Sequence, residues 1–527
     1  DIYNKGGKKA LVDLSGIGES MAEKIEEYLK TGKIDYYDRL KKKIPVDVDE
    51  LMAIEGVGPK TIKTFYKKLG IKSIDDLEKA IREHKIAPLS GFGEKTEKNI
   101  LTGIKFFKRS KGRFLISEIL PEVKRIEDNL KKMKEVEKIS VAGSVRRKKE
   151  TIGDVDFLIV AKEPEKVMDY FVNLPGVAKV WGKGRTKSSV RMEEGFDVDL
   201  RVVNKKSYGS ALQYFTGAKD HNISTRRIAI KKGLKLNEYG LFKGKKMIAG
   251  WNEKGVYKKI GLDWMEPELR EDRGEVELAE EGKLPNLIKL EDIKGDLHCH
   301  SNWNGGNHSI KEIAEAAIER GYQYLGISDH TKFLRIENGL DEKDLEKQRK
   351  EINDLNKEFK NFKLLQGAEV NILKDGSLDI NNDALEKLDY VIAGIHSSFK
   401  LSKEEMTERI IKAMENPFVN IISHPTGRIL KERDQYDVDI DKIFEAAKKY
   451  NIFLEINSFP KRLDLNDVNI KKAIDYGLKL VINADSHHKD HLRYMEFGVM
   501  QARRGWASKK DIINALSLKE LIKELGK

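Results

Sequence analysis

The 527-residue chain holds a single cysteine, Cys299, so no internal disulfide can staple it. It has no apolar run long enough to span a bilayer, and its first residues lack the order of a secretory signal. These absences exclude a disulfide scaffold and a helical membrane protein, and they fit a reducing, cytoplasmic setting. Acidic residues are outnumbered: 99 Lys and Arg against 87 Asp and Glu leave a formal charge of +12. That excess favours polyanionic partners. A charged fraction of 35% with almost no cysteine leans towards a thermophile. The length predicts several domains. The chain begins at Asp1 rather than Met, so a removed front is expected.

Four short strings carry the first chemistry: Gly143-Ser144-Val145-Arg146-Arg147, Gly153-Asp154-Val155-Asp156, Asp197-Val198-Asp199 and Tyr214-Phe215-Thr216-Gly217. Asp154 and Asp156 enter an apolar run, Phe157-Leu158-Ile159-Val160, that reads as a strand, so both side chains leave one face. Asp199 sits in a second strand-like run, 197–203. Three carboxylates from two strands can hold two magnesium ions around an in-line phosphoryl displacement. Gly143-Ser144 permits close backbone approach to phosphate, and a helix starting there adds its N-terminal dipole. Arg146 and Arg147 offer guanidinium groups to triphosphate oxygens. An acidic pair alone would more often cap an exposed strand. In this order the strings predict a nucleotidyltransferase site.

The N-terminal part repeats. Leu14-Ser15-Gly16-Ile17-Gly18 and Ile54-Glu55-Gly56-Val57-Gly58 each precede a helical run, and Leu89-Ser90-Gly91-Phe92-Gly93 is a degenerate third copy. An ordinary helix–helix turn with a capping glycine gives one such string. Repetition before Lys-rich helices instead predicts helix-hairpin-helix turns, whose backbone N–H groups approach DNA phosphates without reading sequence. A basic tract, Lys108 to Arg113, follows.

After the catalytic strands, Tyr208 to about Glu268 is helix-rich, and the charged stretch 267–275 reads as a linker. From Ile293 onward short strands alternate with amphipathic helices, the pattern of a βα barrel or open α/β sheet. Strand ends there carry His298, His300, His330, Glu369, His396, His424, Asp485 and His487. Imidazoles with carboxylates suit zinc, manganese or iron, and a glutamate can bridge two ions. Cys299 points away from its flanking histidines on a strand and is not counted as a ligand. Such a cluster fits both phosphodiester cleavage and phosphomonoester removal.

These residues resemble the bacterial and archaeal X-family DNA polymerases fused to a C-terminal polymerase-and-histidinol-phosphatase (PHP) domain. The likeness runs over essentially the whole chain, starting inside the helix-hairpin-helix domain. It implies a multidomain α+β and α/β fold: a helix-hairpin-helix, lyase-like domain at 1–85, fingers at 86–137, a nucleotidyltransferase palm at 138–207 and a thumb at 208–268. A linker at 269–292 and a distorted βα-barrel PHP domain at 293–527 complete it. By motif, Asp154, Asp156 and Asp199 match the metal-binding aspartates. Gly143, Ser144, Arg147, Gly153, Tyr214, Phe215, Gly217 and Asn222 match the nucleotide-binding set, with Asn222 at the base edge. Gly16 and Gly18 match the hairpin on downstream DNA, Gly56 and Gly58 the one on the primer side, and Arg226 a template contact. The eight PHP residues match metal ligands.

The resemblance implies a template-directed polymerase for gap filling or base excision repair, working on gapped or primer-template DNA with deoxynucleoside triphosphates. Two Mg2+ ions serve the palm, and Mn2+, Zn2+ or Fe2+ serve a PHP site for 3′–5′ exonuclease or 3′-end processing. A monomer is expected. One departure stands out: where the family has Ser-Asp-Gly, this chain reads Asn304-Gly305-Gly306, so an aspartate that binds a third ion is replaced by Gly305, and His308 is near but not at its place. Lys24 matches the lysine that forms a Schiff base with deoxyribose phosphate in mammalian relatives; a solvent-facing helix lysine is the competing reading. A template-independent or RNA nucleotidyltransferase would have no reason to carry hairpin repeats, and a DNA-binding scaffold would have no reason to keep three aspartates.

Overall fold

The computed structural model describes residues 2–12, 17–34, 46–52, 54, 56–110, 112–334 and 338–526. Two compact units emerge, 1–111 with 431–433, and 112–430 with 434–527.

The first unit is helical, with helices at Ile2–Val12, Glu19–Thr31, Val48–Met52, Pro59–Leu69, Ile74–Arg82 and Glu94–Ser110. Apolar residues at helical spacing, among them Ile62, Phe65, Leu77, Ile81, Ile100 and Ile104, form its core. Ser73 caps Ile74–Arg82 reciprocally: its hydroxyl accepts from the Asp76 amide, and Asp76 accepts from the Ser73 amide.

In the second unit, a five-stranded sheet runs Val136–Val141, Asp154–Ala161, Asp197–Val202, Lys187–Met192, Val177–Lys183. Asp154–Ala161 and Asp197–Val202 pair in parallel, with Asp156 opposite Asp199. One face is covered by Ile116–Lys131, whose Ile116, Ile119, Val123, Ile126 and Leu130 fall on one helical stripe and are buried. The 86–137 module is therefore divided: Ile100 and Ile104 belong to the first unit's core, whereas 116–130 belongs to the palm's.

The C-terminal part is a barrel of short parallel strands in two sheets. One contains Gly295–Asp296, Tyr324–Ile327 and Lys363–Gln366; the other runs Glu369–Asn371, Ile392–Gly394, Ile421–Ile422, Phe453–Asn457, Leu480–Asn483. Parallel bridges Cys299–Ser486 and His330–Glu369 join the two sheets. Burial alternates with period two: Ile392, Ile421, Phe453 and Val481 fill one cluster, and their neighbours Ala393, Ile422, Leu454 and Ile482 another.

The expected linker at 269–292 is instead a packed segment containing a helix, Glu275–Glu281. Charges at its start are paired inside the protein rather than solvated. Arg270 is fully buried and donates to Glu253 at 2.6 Å and to the Met265 carbonyl. Buried Glu275 holds His221 at 2.6 Å and accepts from the amides of Asp272 and Arg273. Palm and barrel also share apolar contacts. Leu463 and Phe497 from the barrel lie in the palm's own core cluster, burial that contributes roughly 1.5–3 kcal/mol for each such side chain. Among the described residues, no helix is long and apolar enough to cross a membrane.

Candidate active sites

The parallel register sets Asp156 beside Asp199, with Asp154 two residues earlier on the same face. Burial, reinforced by the charges of Asp154 and Asp199, pushes Asp156 up to about 6. Three crowded carboxylates of this kind repel one another until a multivalent cation neutralises them. An all-oxygen donor set fits magnesium. Asp199 is oriented by neighbours on the adjoining strand: Ser189 Oγ donates to it at 2.5 Å and Lys187 Nζ lies 2.7 Å away.

Gly143 begins a one-turn helix, Gly143–Arg146, too short for much of the macrodipole expected there. Its φ is +58°, and a Cβ on it would stand 2.4 Å from Asp156 Oδ2. The glycine is thus required by the carboxylate beneath it. Gly143→Ala is expected to displace Asp156 and to lower primer-extension kcat at least about tenfold, because a left-handed alanine also costs about 1–2 kcal/mol. Single-turnover extension checks this.

Arg146 is not directed at a nucleotide. It forms a bidentate pair with Glu253 at 2.7 and 2.8 Å and donates to Thr216 Oγ1. Burial disfavours the Glu253 charge, but Arg146 and Arg270 hold that carboxyl down at about 2. Arg147 is half-buried, with Nη1 on the Thr216 carbonyl and Nε on Glu271. Ser144 and Gly153 lie half-buried beside this turn and the Asp154 strand. Tyr214 and Phe215 pack edge to face at 5.1 Å, and Arg201 covers Phe215. Asn222 fixes the Tyr214–Gly217 turn by donating to both carbonyls and accepting from Gln213. A Cβ on Gly217 would meet Asn222 Oδ1 at 2.6 Å. Arg226 is half-buried one helical turn on.

In the first unit, Gly56 and Gly91 share a φ near +85°, at +85° and +86°, and Gly58 caps the helix Pro59–Leu69. Gly18 caps Glu19–Thr31. A Cβ on Gly18, Gly58 or Gly93 would meet nothing within 4 Å, and none has a positive φ. Nothing inside the protein demands glycine there. Gly16 lies outside the described residues. Lys24 is half-buried and donates to Ser20 one turn back at 3.1 Å.

The barrel brings its eight expected ligands together. His300, His330 and His487 form one trio whose donor atoms lie within 4.8 Å of one another; His298, His300 and Asp485 form a second, and His330, Glu369 and His396 a third. His424 Nε2 is 3.0 Å from Glu369 Oε1. Among the described residues, His298 Nε2, His300 Nε2, His330 Nδ1, His396 Nε2 and Glu369 Oε2 are buried without a hydrogen-bond partner. Converging orphan donors of this chemistry fit transition-metal ions. Glu369 opens its strand rather than closing one: strand pairing is interrupted at 367–368, and a Cβ on Gly367 would strike the Tyr390 ring at 2.4 Å. Cys299 is buried in an apolar cluster away from the site, as alternation predicts.

Comparison with known proteins agrees with this architecture. Residues 48–105 match the SAM-like helix-hairpin-helix tandem model, 211–271 the DNA polymerase beta thumb and 296–459 the PHP domain. Over 515 residues the chain is 40% identical to the DNA polymerase/3′-5′ exonuclease PolX of Bacillus subtilis (strain 168), covering 97% of this chain and 90% of that protein. The chain belongs to the PolX family. Its C-terminal part is also 34% identical over 203 residues to a probable phosphatase of Thermoanaerobacter sp. (strain X514), covering 36% of this chain and 78% of that protein.

This PolX-family chain carries supporting residues that motif reading missed. Glu455 is fully buried, accepts from His298 Nδ1 at 2.7 Å and from the His424 amide, and so fixes two imidazoles at once. Asn371 Oδ1 accepts from His396 Nδ1 at 2.8 Å. Arg462 stands 3.4 Å from Asp485. Asp296 accepts from the amides of His298 and Ala484, and burial pushes it up to about 7. Glu455 had a visible signal, a lone carboxylate inside the apolar strand Phe453–Asn457.

Proposed function

We propose that the chain is a template-directed DNA polymerase that extends primer 3′ ends at gaps, and that its PHP barrel is a metal-dependent 3′–5′ exonuclease. The observation that carries the first half is the side-by-side register of Asp156 and Asp199 beneath Gly143. Asp154, Asp156 and Asp199 would hold two magnesium ions, which supply Lewis acidity to the triphosphate and the primer hydroxyl. Arg147 and Ser144 bind triphosphate oxygens and stabilise the charge that gathers on departing pyrophosphate. Tyr214 and Phe215 form an apolar wall for the nucleotide sugar. Gly18, Gly58 and Gly93 leave open ground at helix starts where a DNA backbone approaches, a grip indifferent to sequence. Extension of a gapped substrate only with a divalent cation, and one-nucleotide incorporation templated by the gap, are the expected results. Untemplated addition, or none, would refute the reading.

In the barrel, His298, His300, His330, Glu369, His396, His424, Asp485 and His487 would hold the ions, which supply activated water and charge neutralisation at a phosphodiester. The likeness to probable phosphatases favours a second reading, removal of a 3′-phosphate, which uses the same ligands.

Gly305 bears on the rate. The trio His300, His330 and His487 contains no carboxylate. Gly305 is exposed, with φ +67°, in the loop whose Asn304 accepts from the His330 amide. Aspartate tolerates that conformation better than most residues. Gly305→Asp is expected to raise exonuclease rate and metal occupancy together, about tenfold, the scale on which a single partner alters metal affinity. Matched exonuclease assays and elemental analysis decide it, and equal rates with equal metal retire the idea in favour of a histidine-and-water third site.

A further inference from the structure

We propose that Arg504, a residue of the PHP barrel, is a positioning residue for nucleotide binding by the polymerase, acting through Glu271 and the Arg147 turn. This rests on the reading of Arg147 as a triphosphate ligand. Arg504 ends the helix Met495–Arg504, whose Phe497 is buried in the palm core, so its guanidinium arrives on a fixed support. It is only 2% exposed. One nitrogen, Nη1, donates to the Arg147 carbonyl at 2.7 Å and to Glu271 Oε1 at 3.1 Å. The other, Nη2, donates to Asp467 Oδ2 at 2.5 Å. Glu271 Oε1 in turn accepts from Arg147 Nε at 2.9 Å.

Arg147 is therefore held at two points by groups that trace to one side chain. Its backbone is tied directly to Arg504, and its guanidinium is tied to a carboxylate that Arg504 shares. Sharing matters. Lys149 and Arg273 complete the cluster, at 3.8 Å from Glu271 and 2.9 Å from Asp467, so four cations divide two carboxylates between them. That leaves positive charge for an anion, and it weakens the hold of Glu271 on Arg147 enough for a triphosphate to compete. Remove Arg504, and Glu271 has one fewer cation to satisfy; it binds Arg147 more tightly while the turn loses its carbonyl anchor. Both effects oppose nucleotide binding. Neither involves the aspartates.

A double-mutant cycle on the full chain with gapped DNA tests this. Arg504→Met is expected to raise KM for the incoming nucleotide about tenfold, as for loss of a charged hydrogen bond, and to change kcat far less. Lysine cannot reproduce the planar fork, so Arg504→Lys should give a smaller rise of the same kind while keeping the buried charge. In an Arg147→Met background, neither substitution should raise KM further. Thermal unfolding identifies any variant that fails to fold, and the lysine variant then decides. An unchanged KM in folded variants, or an equal rise in both backgrounds, would overturn the proposal. Displacement of a fluorescent deoxynucleoside triphosphate gives the same comparison without turnover. Absence of incorporation would count against the polymerase reading, whereas affinities independent of Arg504 would count against this one.

Discussion

Asp199→Ala is expected to reduce primer extension by a factor on the order of a thousand while leaving affinity for gapped DNA nearly unchanged. A single preorganised electrostatic contact at a reacting centre is worth about that much. Asp199 faces Asp156 across a parallel pair of strands, and the two flanking residues, Val198 and Leu200, are buried on the opposite side. Deleting the carboxylate leaves the sheet packed. It frees Lys187, whose side chain is 42% exposed and finds water, so no buried charge is stranded. On the proposed reading DNA affinity arises elsewhere, at the glycine turns, so it is expected to depend on salt rather than on Asp199. Single-turnover extension and filter binding on one substrate separate the two quantities. Extension within tenfold of wild type would remove Asp199 from the site.

What the sequence made legible was local chemistry. Asp154 and Asp156 at a spacing of two, and imidazoles at the ends of apolar strands, announce themselves because the residues that matter are adjacent to the pattern that orients them. What it concealed was long-range pairing. Residues 267–275 read as solvated because six of their side chains are charged, yet Arg270 is claimed by Glu253 and Glu271 by Arg504, a partner 233 residues away. Arg146 and Arg147 look equivalent in sequence. Glu253, 107 residues on, takes the first, whereas the second pairs with Glu271. The split of 86–137 has the same origin, since the apolar stripe of 116–130 says that a helix is buried but not against which sheet. Glu455 belongs to no motif, being one carboxylate in an apolar strand, and only the fold shows which imidazoles it holds.

The other large effect belongs to Glu369. Glu369→Gln is expected to lower exonuclease activity by a factor on the order of a thousand and to cut bound metal, with extension of gapped DNA retained. The carboxylate is 1% exposed and links four strand ends. Oε2 lies 2.8 Å from His330 Nδ1 and 3.3 Å from His298 Nε2, and Oε1 lies 3.0 Å from His424 Nε2 and 3.3 Å from His396 Nε2. Burial opposes its charge, but His298, His396 and His330 hold its pKa well below the usual carboxylate range. Glutamine keeps the volume and can still accept from Ser423 Oγ, so no cavity opens. What it removes is the only carboxylate of the trio that includes His396. An amide also presents N–H toward imidazole nitrogens that need an acceptor or an ion, which favours release of metal. Elemental analysis, hydrolysis of a 3′-labelled strand and gapped extension on one preparation supply the three readings. Exonuclease activity within tenfold of wild type would take Glu369 out of the metal site, and a parallel collapse of extension would mean that the barrel supports the palm rather than acting beside it.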